Sequence, residues 1–274
     1  MLEARVRVVV AGDKNVLGGL TSVDKKDISI VSMTRASKGD YELHREALRE
    51  LAAHALPTVV TDGGSGEEFL AYLNSFPHFV VQKAAQAGAF LQIKSSFDAA
   101  RSLATPYVLY TEPDKQFFFE QRLSAFIEQA PDQGAAIILP GRTEESFASY
   151  PESQRFTETF TNQLCGRILG GAGDFCYGPL LIQRELITCL DLLAEDIGWG
   201  WRPFLLNVAH RLKLEICQIA MDLPCPVEQR SDSEAELFHR MRQLQQNVRG
   251  LNLAIALTEA RLAGLSNSGR QEAA

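Results

Sequence analysis

The chain has 274 residues, a formal net charge of -7, 46% hydrophobic residues and 22% charged residues. That is enough apolar chain for one large α/β domain or two small ones, and it excludes a mainly disordered chain. An acidic chain with no Lys/Arg run also lacks the basic face of a duplex-DNA binder.

No apolar run approaches the roughly 20 residues of a membrane span. The start, Met1-Leu2-Glu3-Ala4-Arg5, has no secretory-signal pattern, so the protein is expected in the cytoplasm. Cys165, Cys176, Cys189, Cys217 and Cys225 form no CxxC pair and are odd in number, which reads as buried free thiols.

In chain order, Arg5 to Ala11 reads as a strand, and Gly12 to Lys26 is turn-rich. Ile28 to Met33 is a buried strand, followed by a loop and a helix from Tyr41 to Leu56. Pro57 to Thr61 is a strand ending in Asp62-Gly63-Gly64-Ser65-Gly66. Glu67 to Asn74 is a helix, His78 to Val81 a strand and Ala89 to Leu103 a helix. Pro106 to Tyr110 is a strand stopping at Thr111-Glu112-Pro113-Asp114. Phe117 to Ala130 is helical, and Gly134 to Leu139 is a strand.

This β-α alternation predicts a largely parallel sheet covered on both faces, with ligands beyond the carboxyl ends of its strands. The loops Thr34–Lys38, Asp62–Ser65 and Thr111–Asp114 leave such ends and are expected to converge.

Further on, Phe156 to Leu169, Leu180 to Leu193 and Trp201 to Leu212 read as helices, and Glu215 to Ala220 as a strand. From Glu234 to Leu262, the residues Leu237, Met241, Leu244, Val248, Leu251 and Ile255 fall at heptad spacing on a long helix. That seam packs either on its own domain or in a homodimer. The domain reading is therefore a main domain over 1–230, a C-terminal helix over 231–264 and a disordered tail over 265–274.

Glu112 and Asp114 sit two residues apart after an apolar strand, so in extended chain both carboxylates project to one side. Two anionic oxygens on one side suit a hard divalent cation, Mg²⁺ or Mn²⁺, that also binds substrate phosphates. A solvated carboxylate pair in a turn is the alternative.

Four segments carry a family resemblance. Asp27 to Ser32 resembles the opening strand of GT-A glycosyltransferases, and Val59 to Ser65 their second strand end. Gly88 to Ala100 is similar to their glycine-initiated helix, and Thr105 to Asp114 to the strand that ends in their metal-binding DxD. Order and spacing match over roughly residues 27 to 140. Gly198 to Leu206 is more faintly similar to a segment of glucosyl-3-phosphoglycerate and mannosylglycerate synthases. The chain departs from the pattern in having Glu112 as the first acid and no His in Asp222 to Gln229.

The resemblance implies a GT-A fold, a mixed α/β sheet flanked by helices, and transfer of a hexosyl group from a nucleoside-diphosphate sugar to an acceptor hydroxyl. The acceptor would be small or lipid-linked, and Mg²⁺ or Mn²⁺ would assist. Thr34, Arg35, Asp62, Lys94, Glu112, Gly173 and Asp174 would bind the nucleotide sugar. Glu112 and Asp114 would hold the metal, Glu195 and Asp196 would supply the base, and Trp199, Trp201 and Arg202 would meet the acceptor. Two alternatives stay open: a non-catalytic sugar-nucleotide binder or scaffold with a degenerate site, and a nucleotidyltransferase. A dinucleotide oxidoreductase is disfavoured, since no strand is followed by GxGxxG.

Overall fold

A computed structural model of the chain describes residues 6–10, 23–131 and 135–262. The tail expected over 265–274 lies outside the described residues, as does most of the turn-rich stretch after Ala11.

Eight strands form one mixed sheet: β1 (Val6–Val10), β2 (Ile28–Thr34), β3 (Thr58–Asp62), β4 (Phe79–Lys83), β5 (Tyr107–Thr111), β6 (Ala135–Arg142), β7 (Leu180–Gln183) and β8 (Glu215–Met221). Their spatial order is β1-β8-β6-β7-β5-β2-β3-β4. All neighbours are parallel except β7, which runs antiparallel between β5 and β6.

β7 corrects the expectation of one helix from Leu180 to Leu193. Leu180, Leu181 and Ile182 are buried between β5 and β6, and only Arg184–Leu192 is helical, as a 3-10 turn. A three-residue apolar run beside helix-spaced leucines hid the strand, because periodicity does not resolve a run that short.

The helices are α1 (Tyr41–Ala53), α2 (Glu67–Asn74), α3 (Ala89–Ala100), α4 (Gln116–Gln121), α5 (Leu123–Gln129), α6 (Glu144–Ala148), α7 (Glu152–Leu169), α8 (Trp201–Arg211) and α9 (Glu234–Ile255). Among the described residues, no helix is long and apolar enough to cross a membrane. Successive strand residues point to opposite faces, and each face has its own core. Val31, Val59, Val108 and Ile137 pack with Phe90, Phe97 and Trp201; Ile30, Val60, Leu109 and Ile138 pack with Leu48, Phe69 and Phe118.

α9 lies on α7 and α8, with its packing face rotated from the heptad seam read in the sequence. Of the six seam residues only Leu251 is buried, while Leu237, Met241 and Ile255 are exposed. Glycine decides the rotation. A Cβ on Gly250 would come within 1.9 Å of the Gly200 carbonyl oxygen, so the two backbones meet where neither residue has a side chain. Gly250, Leu251 and Ala254 therefore turn inward. Ser233 caps the other end, its hydroxyl accepting from the Glu236 N–H at 3.2 Å.

Candidate active site

The register places the strand ends side by side. Ser32 pairs with Thr111 across β2 and β5, and Thr34 with Asp62 across β2 and β3. Beyond β5 the chain turns through Glu112, Pro113 and Asp114 into α4. Glu112 and Asp114 line a cavity of about 240 Å³ together with Lys115, Arg142, Tyr177 and Arg202, and with one face of α9.

Glu112 is nearly enclosed. Its Oε1 lies 3.6 Å from Nη1 of Arg202, and its Oε2 is buried without a hydrogen-bond partner. Gly178 is the floor beneath it: any Cβ there would overlap the carboxylate. Arg202 also donates to the carbonyls of Cys176, at 3.2 Å, and Tyr177. The side chain expected to meet an acceptor is thus the internal counter-ion of Glu112.

Asp114 is more open. Its Oδ1 is 2.9 Å from Nζ of Lys115, and its carbonyl accepts from Nε2 of Gln229 at 3.3 Å. Burial alone would push this carboxyl up, but the Lys115 ammonium, helped by His44, holds it below the usual carboxylate range. The same contact keeps Lys115 protonated: burial opposes its charge, and Asp114 and Glu112 outweigh burial and raise it.

A second buried cluster stands beside these acids. Arg142, at the end of β6, donates from Nε to Asp174 Oδ2 at 2.7 Å and from Nη2 to Oδ1 at 2.9 Å. It also pairs with Glu158, and its guanidinium stacks over Tyr150 at 4.5 Å and Phe147 at 4.7 Å. Its Nη1 has no partner. Asp174 is therefore engaged inside the fold rather than presented to a ligand. Gly173 lies against Gln218, whose Oε1 would sit 2.9 Å from a Cβ there.

The other expected residues divide clearly. Trp199 lines the cavity with Glu112, Asp114 and Arg202; Thr34, Arg35, Asp62 and Lys94 do not. Thr34 Oγ1 donates to Asp62 Oδ1 at 3.0 Å, and the other Asp62 oxygen accepts from the N–H groups of Gly64, at 2.8 Å, and Ser65, at 2.9 Å. That is an Asx turn shaping the β3 end. Arg35 is exposed after β2. Lys94 is bound to Asp98 at 2.9 Å and Asp191 at 2.8 Å. Trp201 is fully buried, edge-on to Tyr110 at 4.9 Å and Phe97 at 5.6 Å, so it is a core residue.

Glu195 and Asp196 also lie off the cavity. Glu195 pairs with Arg249 at 2.5 Å, and Asp196 accepts from the Phe90 N–H at 2.9 Å. Sequence reasoning missed Lys115, Arg142, Tyr150, Glu158 and Gln229. The usable signal was position for Arg142, a charged residue where a buried strand ends. It was adjacency for Lys115, next to Asp114.

No family model matches the chain, and no curated protein matches it by sequence. Solved structures do match in shape, and they define the fold: the chain has the GT-A fold, a mixed sheet flanked by helices. The similar structures include glucosyl-3-phosphoglycerate synthase from Mycobacterium tuberculosis. Its complex with uridine-diphosphate superposes with a TM-score of 0.61 at 15% identity, covering 93% of this chain and 90% of that one. The complex with Mn²⁺, uridine-diphosphate-glucose and phosphoglyceric acid gives 0.60 at 16%, over 89% and 83%. The complex with Mg²⁺ and uridine-diphosphate gives 0.58 at 15%, over 93% and 88%.

Among the described residues, no group of three or more His, Cys, Asp or Glu could hold a metal. Two carboxylates lining one cavity, one with an unpartnered buried oxygen, would suit an ion that takes its remaining ligands from phosphates and water.

Proposed function

We propose that the protein is a glycosyltransferase that moves a hexosyl group from a nucleoside-diphosphate sugar to the hydroxyl of a small acceptor. One observation carries the reading: Glu112 and Asp114, just beyond the carboxyl end of β5 in a GT-A sheet, line one cavity. Asp114 and Glu112 would hold Mg²⁺ or Mn²⁺, which when bound offsets charge on the departing diphosphate. Lys115, held protonated beside them, adds a fixed positive charge for the same leaving group. Tyr150, Tyr177 and Arg142 line the same cavity and would wall its acceptor side. The similar synthase was crystallised with phosphoglyceric acid, and a lining that includes Lys115, Arg142, Arg202 and Arg240 suits an anionic acceptor of that kind.

A second reading, binding without turnover, is favoured by Glu195 and Asp196. The pair expected to supply a base is engaged with Arg249 and with the start of α3. Incubation with UDP-glucose, Mn²⁺ and 3-phosphoglycerate, with released UDP measured, tests both. UDP release that Asp114→Ala abolishes supports the transferase. UDP binding by calorimetry without release supports the second reading, and absence of both removes the sugar-nucleotide reading altogether.

A further inference from the structure

The C-terminal helix was expected to contribute packing or a dimer seam, but its polar face closes the cavity. His239, Arg240, Gln243, Leu244 and Asn247 all line it. These positions recur at three- and four-residue spacing, so they form one face of α9.

That face is held rigidly. Gly250 abuts the backbone of Gly200, and Oε1 of Gln246 accepts from the Trp199 N–H at 3.1 Å. Within the face, Arg240 is fixed by Glu236 at 2.7 Å and by donation to Gln243 Oε1 at 3.0 Å. With its carbonyl oxygen engaged by Arg240, the Gln243 amide offers its NH₂ end, a donor, to a ligand.

Its ion-pair partner singles out Arg240. Four cations line the cavity, Lys115, Arg142, Arg202 and Arg240, against three carboxylates, Glu112, Asp114 and Glu158. Lys115, Arg142 and Arg202 each pair with one of those three. Arg240 pairs instead with Glu236, through Nε at 2.7 Å, and Glu236 does not line the cavity, so no carboxylate of the lining occupies its guanidinium.

We propose that Arg240 and Gln243 of α9 determine acceptor specificity by binding the anionic group of a small acceptor, a carboxylate or a phosphate. The inference rests on the transferase reading above and assigns its acceptor selection to the C-terminal helix. A rigid helix face holding a charged donor and an amide donor suits this role, since preorganised charge-assisted bonds are the selective ones.

The test titrates the full chain with UDP and Mn²⁺ by calorimetry, then the loaded protein with 3-phosphoglycerate, glycerate and glycerol. The wild type is expected to bind the first two, one with a phosphate and both with a carboxylate, and not glycerol. Arg240→Gln and Gln243→Leu are expected to weaken the anions at least tenfold and to leave the UDP affinity within twofold. Met241→Ala, on the exposed side of the same helix, should change neither. Unchanged anion affinity in both variants, or no anion binding by a wild type that binds UDP, overturns the inference alone. Equal loss of UDP and anion in the variants also overturns it, because the helix would then only be structural. Failure of the wild type to bind UDP overturns the transferase reading beneath it.

Discussion

The carboxylate of Asp196 accepts a hydrogen bond from the backbone N–H of Phe90 at 2.9 Å, across 106 residues of sequence. Gly88 precedes α3 and provides no side-chain cap, so Asp196 satisfies a helix N-terminus from a distant loop. Gly88 is required there, since it has φ +136° and a Cβ would come within 2.6 Å of Asp196. Asp196→Ala is therefore expected to lower stability by about 1 kcal/mol, as lost caps do. Asp196→Asn should retain most of it. Urea unfolding measures both. A full loss of turnover in a stably folded Asp196→Ala would instead make Asp196 part of the chemistry.

The Arg202–Glu112 pair is enclosed, with side chains 7% and 13% exposed. Removing one member of a buried pair strands the other charge, at about 3–5 kcal/mol. Arg202→Met should accordingly be severely destabilised, and the double variant Arg202→Met/Glu112→Gln should recover much of the loss. Thermal unfolding of the two proteins checks this. Equal melting temperatures for the single and double variants would show that the pair is not coupled.

Asp114 is held below its ordinary value, chiefly by Lys115 against the opposing effect of burial. A depressed carboxyl stabilises the fold above its unfolded pKa of about 4, and that stabilisation is lost as pH falls through the folded value. In Lys115→Met, burial then dominates, so the Asp114 carboxyl should titrate at higher pH, above its unfolded value, and acidification through that range should add stability at this group instead of removing it. Carbon-13 NMR titration of the Asp114 carboxyl in both proteins is the measurement. An unmoved Asp114 in the variant would mean that Lys115 does not hold it.

Burial pushes Cys165 and Cys189 up to about 12 and Cys176 well above the usual thiol range, although Cys176 lines the cavity. Cys217 and Cys225 are raised for the same reason. Since the thiolate is the nucleophile, folded protein at pH 8 should resist iodoacetamide, and protein in urea should take up five labels for its five cysteines. Intact mass spectrometry counts them. Rapid labelling of Cys176 alone would show that the wall at Glu158 opens.

The first half was readable because its signals are local. The run Ile28 to Met33 and the run before Thr111 are buried strands, and the turn residues Asp62 to Ser65 lie at a strand end as their types demand. Legibility ended where a residue's partner is remote. Lys94 has one partner within sequence reach, Asp98 four residues on in α3, but its second, Asp191, is 97 positions away. Asp196 resembled a base because nothing local reveals Phe90. The seam on α9 followed the leucines, whereas the meeting of Gly200 and Gly250, which no apolar period encodes, set the rotation. At the site, Glu112 and Asp114 were found by strand-end position, but Arg142 and the inner face of α9 join them only through tertiary folding.

The contact between Gly200 and Gly250 also fixes the pitch of α9 over the cavity. Arg240 lies ten residues before Gly250, which at 1.5 Å per residue is a lever arm of about 15 Å. A tilt of about 5° at that point swings the guanidinium by about 1 Å, roughly a third of a hydrogen bond's length. Gly200 and Gly250 thus set the position of Arg240 from about 15 Å away, and a methyl added at Gly200, 2.2 Å from the Gln246 carbonyl oxygen, would shift it.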